Sequence, residues 1–341
     1  MSVSNNIEKT IINETDMIRK RISEIYDQST EVKLCRDILN YINHKSGKMI
    51  RSWLMINVAK MISGSNYKDR EQQIIDLATS CEIIHNATIL HDDVIDNNEV
   101  RRGMKVPNKV WDNTEIILLG DFLFATSFKL MADVGNIKSL KILANASKII
   151  SEGELIQLES KFHISDNINI INYLKIIKQK TAYLFATSCQ IPAIIYEMDF
   201  IDKNLYNLGI QIGMLFQIID DILDYGLTKI DIKKELFTDF NERKVTLPIL
   251  LLLEKFKDAE VYDYFYYLNK SYSEIERNRI LKRIIELIKD HNIGNHYCNI
   301  IKSYYVIIIK ELGKMKSLVD FNVENYNKII NLIDYLIKKV I

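Results

Sequence analysis

Asp92, Asp93 and Asp96 stand close together in the stretch HNATILHDDVIDNNEVRRG, residues 85–103. Three like charges at that spacing cost free energy unless a cation lies among them. The pattern asks for a metal. On a helix Asp92 and Asp96 share one face, with Asp93 turned about 100° away; His85 and Thr88 fall on the stripe of Asp92. A second copy, Asp220, Asp221 and Asp224 in FQIIDDILDY, lies far downstream. Two such clusters on separate helices could face one another across a cavity. Arg101 and Arg102 directly follow the first cluster, and arginine is well shaped to hold phosphate oxygens in pairs. A metal-bridged phosphate beside a directly bound one would use both groups; a surface ion-pair cluster is the competing account.

Other candidates are weaker alone. Lys48 and Arg51 follow a break at 44–47 and open a helix, where backbone amides and basic side chains suit an anion, although two solvated cations beside a loop would look the same. Glu82 and His85 form an ExxH pair that suits a di-iron half-site, but that chemistry needs a second ExxH, and the sequence has none. His85 is better read as a donor to a ligand anion, against a buried structural histidine. Asp121 lies in an apolar helical run and needs a partner that the sequence does not name. Glu152, Glu154 and Gln157 suit solvated or capping roles. Lys180, amid Tyr183, Leu184 and Phe185, either snorkels or points at an anion. Gly209, Gly213, Gln217, Asp220 or Asp221, and Asp224 form one helical stripe. Each helical glycine costs roughly 1 kcal/mol relative to alanine, tolerable where a neighbouring helix or ligand comes close. Gly226 ends that helix, and a lysine-rich loop, 229–244, follows it.

The elements that must position these groups are helices. With 11 Gly and 3 Pro in 341 residues, chain breaks are scarce. Apolar residues recur at helical spacing over 7–42, 73–96, 114–133, 139–161, 171–190 and 205–225, with three or four more amphipathic helices after Pro248. Strand alternation is not evident. An all-α, single-domain bundle is expected. Lys+Arg and Asp+Glu number 45 each, so no global field attracts nucleic acid or an acidic membrane. Four scattered cysteines without a CxxC pair indicate structural thiols in a reducing compartment. The N-terminus resembles neither a secretory signal nor a transit peptide. The longest apolar runs, near 247–253 and 304–309, are too short to span a bilayer. A cytoplasmic protein is the expectation.

GKMIR (47–51), HDDVIDNNEVRRG (91–103), GDFLFA (120–125), KTA (180–182), FQIIDDILD (216–224) and DFNERKVTLP (239–248) resemble, in order and spacing, the trans-isoprenyl diphosphate synthases, in their medium- and long-chain quinone-side-chain branch. The resemblance covers roughly residues 30–335. It implies an all-α bundle around a central active-site cavity, one polyprenyl synthase domain over 1–341 with residues 1–30 as a helical extension, and a homodimer. It implies that Asp92, Asp96, Asp220, Asp221 and Asp224 bind Mg²⁺, three ions per active site, with Mn²⁺ able to substitute. Arg101, Lys180, Lys234 and Lys244 would hold an allylic diphosphate such as farnesyl diphosphate, with Thr181 and Gln217 at the reacting end. Lys48, Arg51, His85 and Arg102 would hold isopentenyl diphosphate without metal. Asp92, Asp96, Lys180, Thr181, Gln217 and Asp220 would carry the catalysis. Each cycle adds one C5 unit.

In this family an aromatic residue shortly before the first motif closes the product pocket early. Ala87 and Thr88 occupy those positions and are small, so the expected product is long, C40 to C50, of the kind used for quinone side chains. The helix from Ile74 to Asp92 offers ~27 Å of wall at 1.5 Å per residue; Met131 or Phe128 could still set a floor. Several positions depart from the family pattern: Met49 replaces a basic residue, Ser52 a proline, and Lys233 and Arg243 the glycines before Lys234 and Lys244. A short-chain (C15 or C20) synthase, a non-catalytic subunit of a heteromeric synthase and a terpene cyclase are the rivals. Intact acidic motifs oppose the second, and the Lys48/Arg51/His85 site opposes the third.

Overall fold

The computed structural model describes residues 2–43, 47–101, 103–162, 169–227, 236–255, 261, 274–316 and 321–341. The chain is built from helices: α1 (Ser2–Glu14), α2 (Asp16–Ser29), α3 (Lys33–Asn43), α4 (Ile50–Ser63), α5 (Glu71–Ile95), α6 (Asn113–Val134), α7 (Ile137–Phe162), α8 (Ile170–Ile177), α9 (Tyr183–Ile195), α10 (Asp202–Asp224), α11 (Thr238–Asn241), α12 (Leu247–Leu250), α13 (Glu274–Asp290), α14 (Ile293–Met315) and α15 (Val323–Ile337). The expected all-α class holds. One departure is a two-residue hairpin, β1 (Val100–Arg101) with β2 (Met104–Lys105), pairing Val100 with Lys105 and Arg101 with Met104. Strands this short leave no alternation to detect. A second departure is a π-helical turn, Lys178–Ala182, between α8 and α9, where the spacing predicts one unbroken helix.

Contacts group the chain into two compact units. The first comprises residues 1–147, 184–209 and 311–332; the second comprises 148–183, 210–310 and 333–341. In the first unit α4 is buried around nearly its whole circumference, from Ser52 to Ala59 and again at Met61 to Ser63, as befits a helix apolar on all sides. The α2 face Ile18, Ile22 and Tyr26 is buried at four-residue spacing. A polar network ties chain-distant helices together: the Asn57 amide donates to Glu14 (3.0 Å), the Asn325 amide donates to Asn57 (2.9 Å) and Lys328 pairs with Glu14 (2.8 Å). Each buried polar group there is satisfied, which burial demands.

Helix α6 runs unbroken through Gly120. A Cβ there would come within 2.1 Å of His91 Nε2 on α5, so the glycine makes room for an imidazole rather than a bend. Asp112 and Glu115 form a capping box at its start, and Gly135, at φ +74°, ends it in the left-handed conformation that suits glycine. In the second unit the buried side chains include Tyr173, Tyr225, Phe240, Ile284, Ile301 and Leu336. The cysteines are thiols rather than disulfides, with Cys81 and Cys189 buried. Burial pushes the Cys81 thiol up to about 12, so it stays protonated and inert. No described helix is long and apolar enough to cross a membrane.

Candidate active site

The first acidic cluster closes α5. Asp92 is half-buried, Asp93 is buried, and Asp96 is the C-cap, its N–H donating to the Asp92 carbonyl at 2.8 Å. The 100° offset read from the sequence has a structural consequence: Asp93 turns away and anchors the hairpin. Arg101 reaches Asp93 Oδ1 through Nε (3.1 Å) and Nη2 (2.9 Å), and the Asn98 amide donates to the same oxygen. Burial holds the Asp93 carboxyl above its usual range, and the Arg101 charge opposes that. Its Oδ2 is buried with no hydrogen-bond partner. Asp121 acquires the neighbour that the sequence leaves unnamed: His91 Nε2 lies 3.7 Å from its carboxylate and 3.1 Å from the Ile117 carbonyl. Ala87 is fully buried, and the Thr88 hydroxyl turns back to the His85 carbonyl at 2.8 Å. Met131 is buried and Phe128 exposed. Arg102 lies outside the described residues.

At the start of α4, Lys48 pairs with Glu8 of α1 at 2.5 Å. Arg51 Nη1 lies 3.0 Å from His85 Nε2, and its guanidinium stacks 4.7 Å from the Phe185 ring centroid. A guanidinium only donates, so His85 Nε2 accepts and the ring proton sits on Nδ1. Glu82, one turn before His85, is bound by Ser52. The ExxH pair thus serves an arginine and a helix terminus.

The second cluster closes α10. Asp220 is half-buried, while Asp221 and Asp224 are buried. Asp221 accepts from the Tyr173 hydroxyl and from the Gln217 amide, both at 2.7 Å, and Gln217 accepts from the Thr181 hydroxyl at 2.7 Å. Thr181, Gln217 and Asp221 are therefore one chain of hydrogen bonds, to which the π-helical turn delivers Thr181. Burial, then the Asp239 charge, push the Asp221 carboxyl well above its usual range. Asp224 accepts the N–H groups of Thr238 (3.2 Å) and Asp239 (3.0 Å), capping the first turn of α11. Gly209, within the first unit, allows close approach to α9: a Cβ would lie 2.5 Å from Ala186 Cα. Gly226, at φ +67°, follows the end of α10 as its sequence position indicates. Lys233 and Lys234 lie outside the described residues.

Four candidate phosphate ligands carry a carboxylate partner: Lys48 with Glu8, Arg101 with Asp93, Lys180 with Glu154 (2.6 Å) and Lys244 with Glu242. Glu154 is thus no solvated group, contrary to its sequence reading. Glu8, Glu154 and Tyr173 are partners that sequence reasoning missed. Tyr173 lies 48 residues from Asp221, and no local spacing links them. Among the described residues no three His, Cys, Asp or Glu side chains converge into a ready-made metal site. Mg²⁺ commonly takes only one or two carboxylates, completed by phosphate oxygens and water, so hard oxygen donors at Asp92, Asp96 and Asp220 fit it.

A model of the polyprenyl synthetase family matches residues 32–289. The octaprenyl diphosphate synthase of Escherichia coli (strain K12) is 34% identical over 250 residues, 72% of this chain and 74% of that protein. The crystal structure of a decaprenyl diphosphate synthase from Rhodobacter capsulatus superposes with a TM-score of 0.83 at 29% identity, covering 99% of each chain. A geranylgeranyl pyrophosphate synthetase from Pyrococcus horikoshii Ot3 gives 0.82 at 22% identity, over 98% of this chain and 99% of that one. The last likeness is one of fold alone.

Proposed function

The chain belongs to the polyprenyl synthetase family and is a prenyltransferase, and from that premise we propose that it condenses isopentenyl diphosphate with an allylic diphosphate such as farnesyl diphosphate. The product is an all-trans polyprenyl diphosphate of C40 to C50 destined for a quinone side chain. The observation that carries this is the pair of acidic clusters, each closing a helix and each accompanied by cationic side chains.

Asp92 and Asp96 of the first cluster, and Asp220, Asp221 and Asp224 of the second, would hold Mg²⁺ for the allylic diphosphate. When bound, Mg²⁺ supplies neutralisation of the charge that grows on the departing diphosphate. Arg101, Lys180, Lys234 and Lys244 bind its remaining oxygens, with Lys180 and Lys244 exchanging Glu154 and Glu242 for phosphate. Lys48, Arg51, His85 and Arg102 bind the diphosphate of isopentenyl diphosphate as a second, metal-free anion site. The Thr181 and Gln217 oxygens stabilise the allylic cation, which survives only where water is excluded. Attack by the isopentenyl double bond forms the new C–C bond, and the proton then lost passes to the departing diphosphate. The enzyme works as a homodimer in the cytoplasm.

Ala87 supports the long product, because a methyl group blocks little of the wall that α5 offers. Mass analysis of products from farnesyl diphosphate, isopentenyl diphosphate and Mg²⁺ is expected to end at C40 to C50. A C15 or C20 endpoint would refute the long-chain assignment.

A further inference from the structure

The carboxylates near the candidate phosphate ligands differ in kind. Glu8, 37% exposed and paired with a lysine 41% exposed, can be exchanged for phosphate at little desolvation cost. Glu82 cannot: it is only 4% exposed and sits against the fully buried Ser52. Ser52 lies in the first turn of α4, where backbone N–H groups have no partner within the helix. Its N–H donates to Glu82 Oε1 at 3.2 Å, and its single hydroxyl proton lies between Glu82 Oε1 (3.0 Å) and the Ala78 carbonyl (2.8 Å). The Glu82 carboxylate therefore caps α4 from α5, with the helix dipole favouring its charge there. A proline at position 52, the residue of the related pattern, would offer neither donor.

Arg51 belongs to that same turn. Its Nε is buried without a hydrogen-bond partner, its Nη1 reaches His85 and Phe185 supports its guanidinium. A half-buried guanidinium gains from a fixed negative charge near it, and its hydrogen-bond partner His85 Nε2, which accepts, carries no such charge. We propose that Glu82, held by Ser52, is a positioning residue for isopentenyl diphosphate binding: it fixes the first turn of α4 against α5, so that Arg51 and His85 meet the diphosphate in one geometry. The role presupposes Arg51 and His85 as ligands of that diphosphate. The electrostatics agree: burial lowers the Arg51 pKa and the Glu82 charge is the largest influence opposing it.

Glu82→Gln keeps an acceptor for Ser52 and removes the charge. Calorimetric titration of isopentenyl diphosphate alone, in EDTA, is expected to show binding about tenfold weaker for E82Q and about threefold weaker for Ser52→Ala. In turnover assays the isopentenyl diphosphate KM should rise alike, with kcat and the farnesyl diphosphate KM within about twofold of wild type. Glu82→Asp, which restores the charge, should recover part of the loss. E82Q binding like wild type, or both substrates weakened equally, would overturn the positioning role. If E82Q does not fold, unchanged affinity in S52A overturns it instead. Arg51→Ala separates the premise: were it to bind isopentenyl diphosphate normally, the assignment of the anion site would fail, whereas a weakened R51A beside a normal E82Q would sink the Glu82 role alone.

Discussion

Asp93 and Asp221 occupy the same position in two copies of one motif, and both turn inward, yet their surroundings differ. Asp93 faces a cation: Arg101 binds it twice, and the carboxylate acts as the foot of the hairpin that carries Arg101. Asp221 faces neutral donors, Tyr173 and Gln217, while the Asp239 charge adds to the effect of burial. The first motif stores its inward charge as a structural ion pair, from which Asp92 and Asp96 stand apart. The second keeps a buried acid under electrostatic pressure and links it through Gln217 to Thr181. Identical spacing thus specifies where the carboxylates point, and the neighbours decide what each is for.

The largest expected effect tests whether the outer carboxylates are equivalent. Asp92→Asn and Asp220→Asn should each lower kcat about 10²- to 10³-fold, the range for losing one transition-state charge stabiliser, in steady-state condensation assays with Mg²⁺. Activity retained by either variant would make its cluster structural. The inward pair separates next. Asp93→Asn loses the double contact with Arg101, partly offset by relief of a charge that burial opposes, and should cost about 1 kcal/mol in denaturant unfolding. Asp221→Asn should stay within about 1 kcal/mol of wild type, because a flip of the Gln217 amide preserves the bonds along the chain to Thr181 and the repulsion from Asp239 is relieved. Equal losses in the two variants would erase the contrast.

The smallest effect concerns the loops that follow. The hairpin behind the first cluster turns through Gly103 at φ +73°; the loop behind the second, after Gly226 and Phe237, puts Arg243 in the left-handed region at φ +60°. A non-glycine residue pays about 1–2 kcal/mol in that region, and glycine's extra unfolded-state freedom returns roughly 0.5–1. Arg243→Gly should therefore stabilise the protein by about 0.5 kcal/mol, read as a shift in the denaturation midpoint at unchanged slope. A destabilised variant would mean that the arginine side chain contributes more than its backbone costs.

Much of this was legible without coordinates because it is local. Helical periodicity, scarce Gly and Pro, the i and i+4 placement of Asp92 and Asp96, and the terminating Gly226 each follow from neighbours within a turn or two. The motifs in order were enough to indicate the family, which the matched residues 32–289 bear out. What could not be read were partnerships set by packing. Glu154 looked solvated yet holds Lys180, Asp121 had no evident neighbour until His91 met it beside Gly120, and the π-helical turn at Lys178–Ala182 hid inside a continuous helical pattern. By itself, then, the sequence determined the helices, the two acidic clusters and the direction of each carboxylate, since a 3.6-residue period ties spacing to direction. Only the tertiary structure decided which carboxylates are spent on Arg101, on Tyr173 and Gln217, or on the first turns of α4 and α11. Those choices depend on side chains tens of residues apart meeting where water is excluded, and hydrogen-bond satisfaction on burial is a property of the packed chain rather than of any segment.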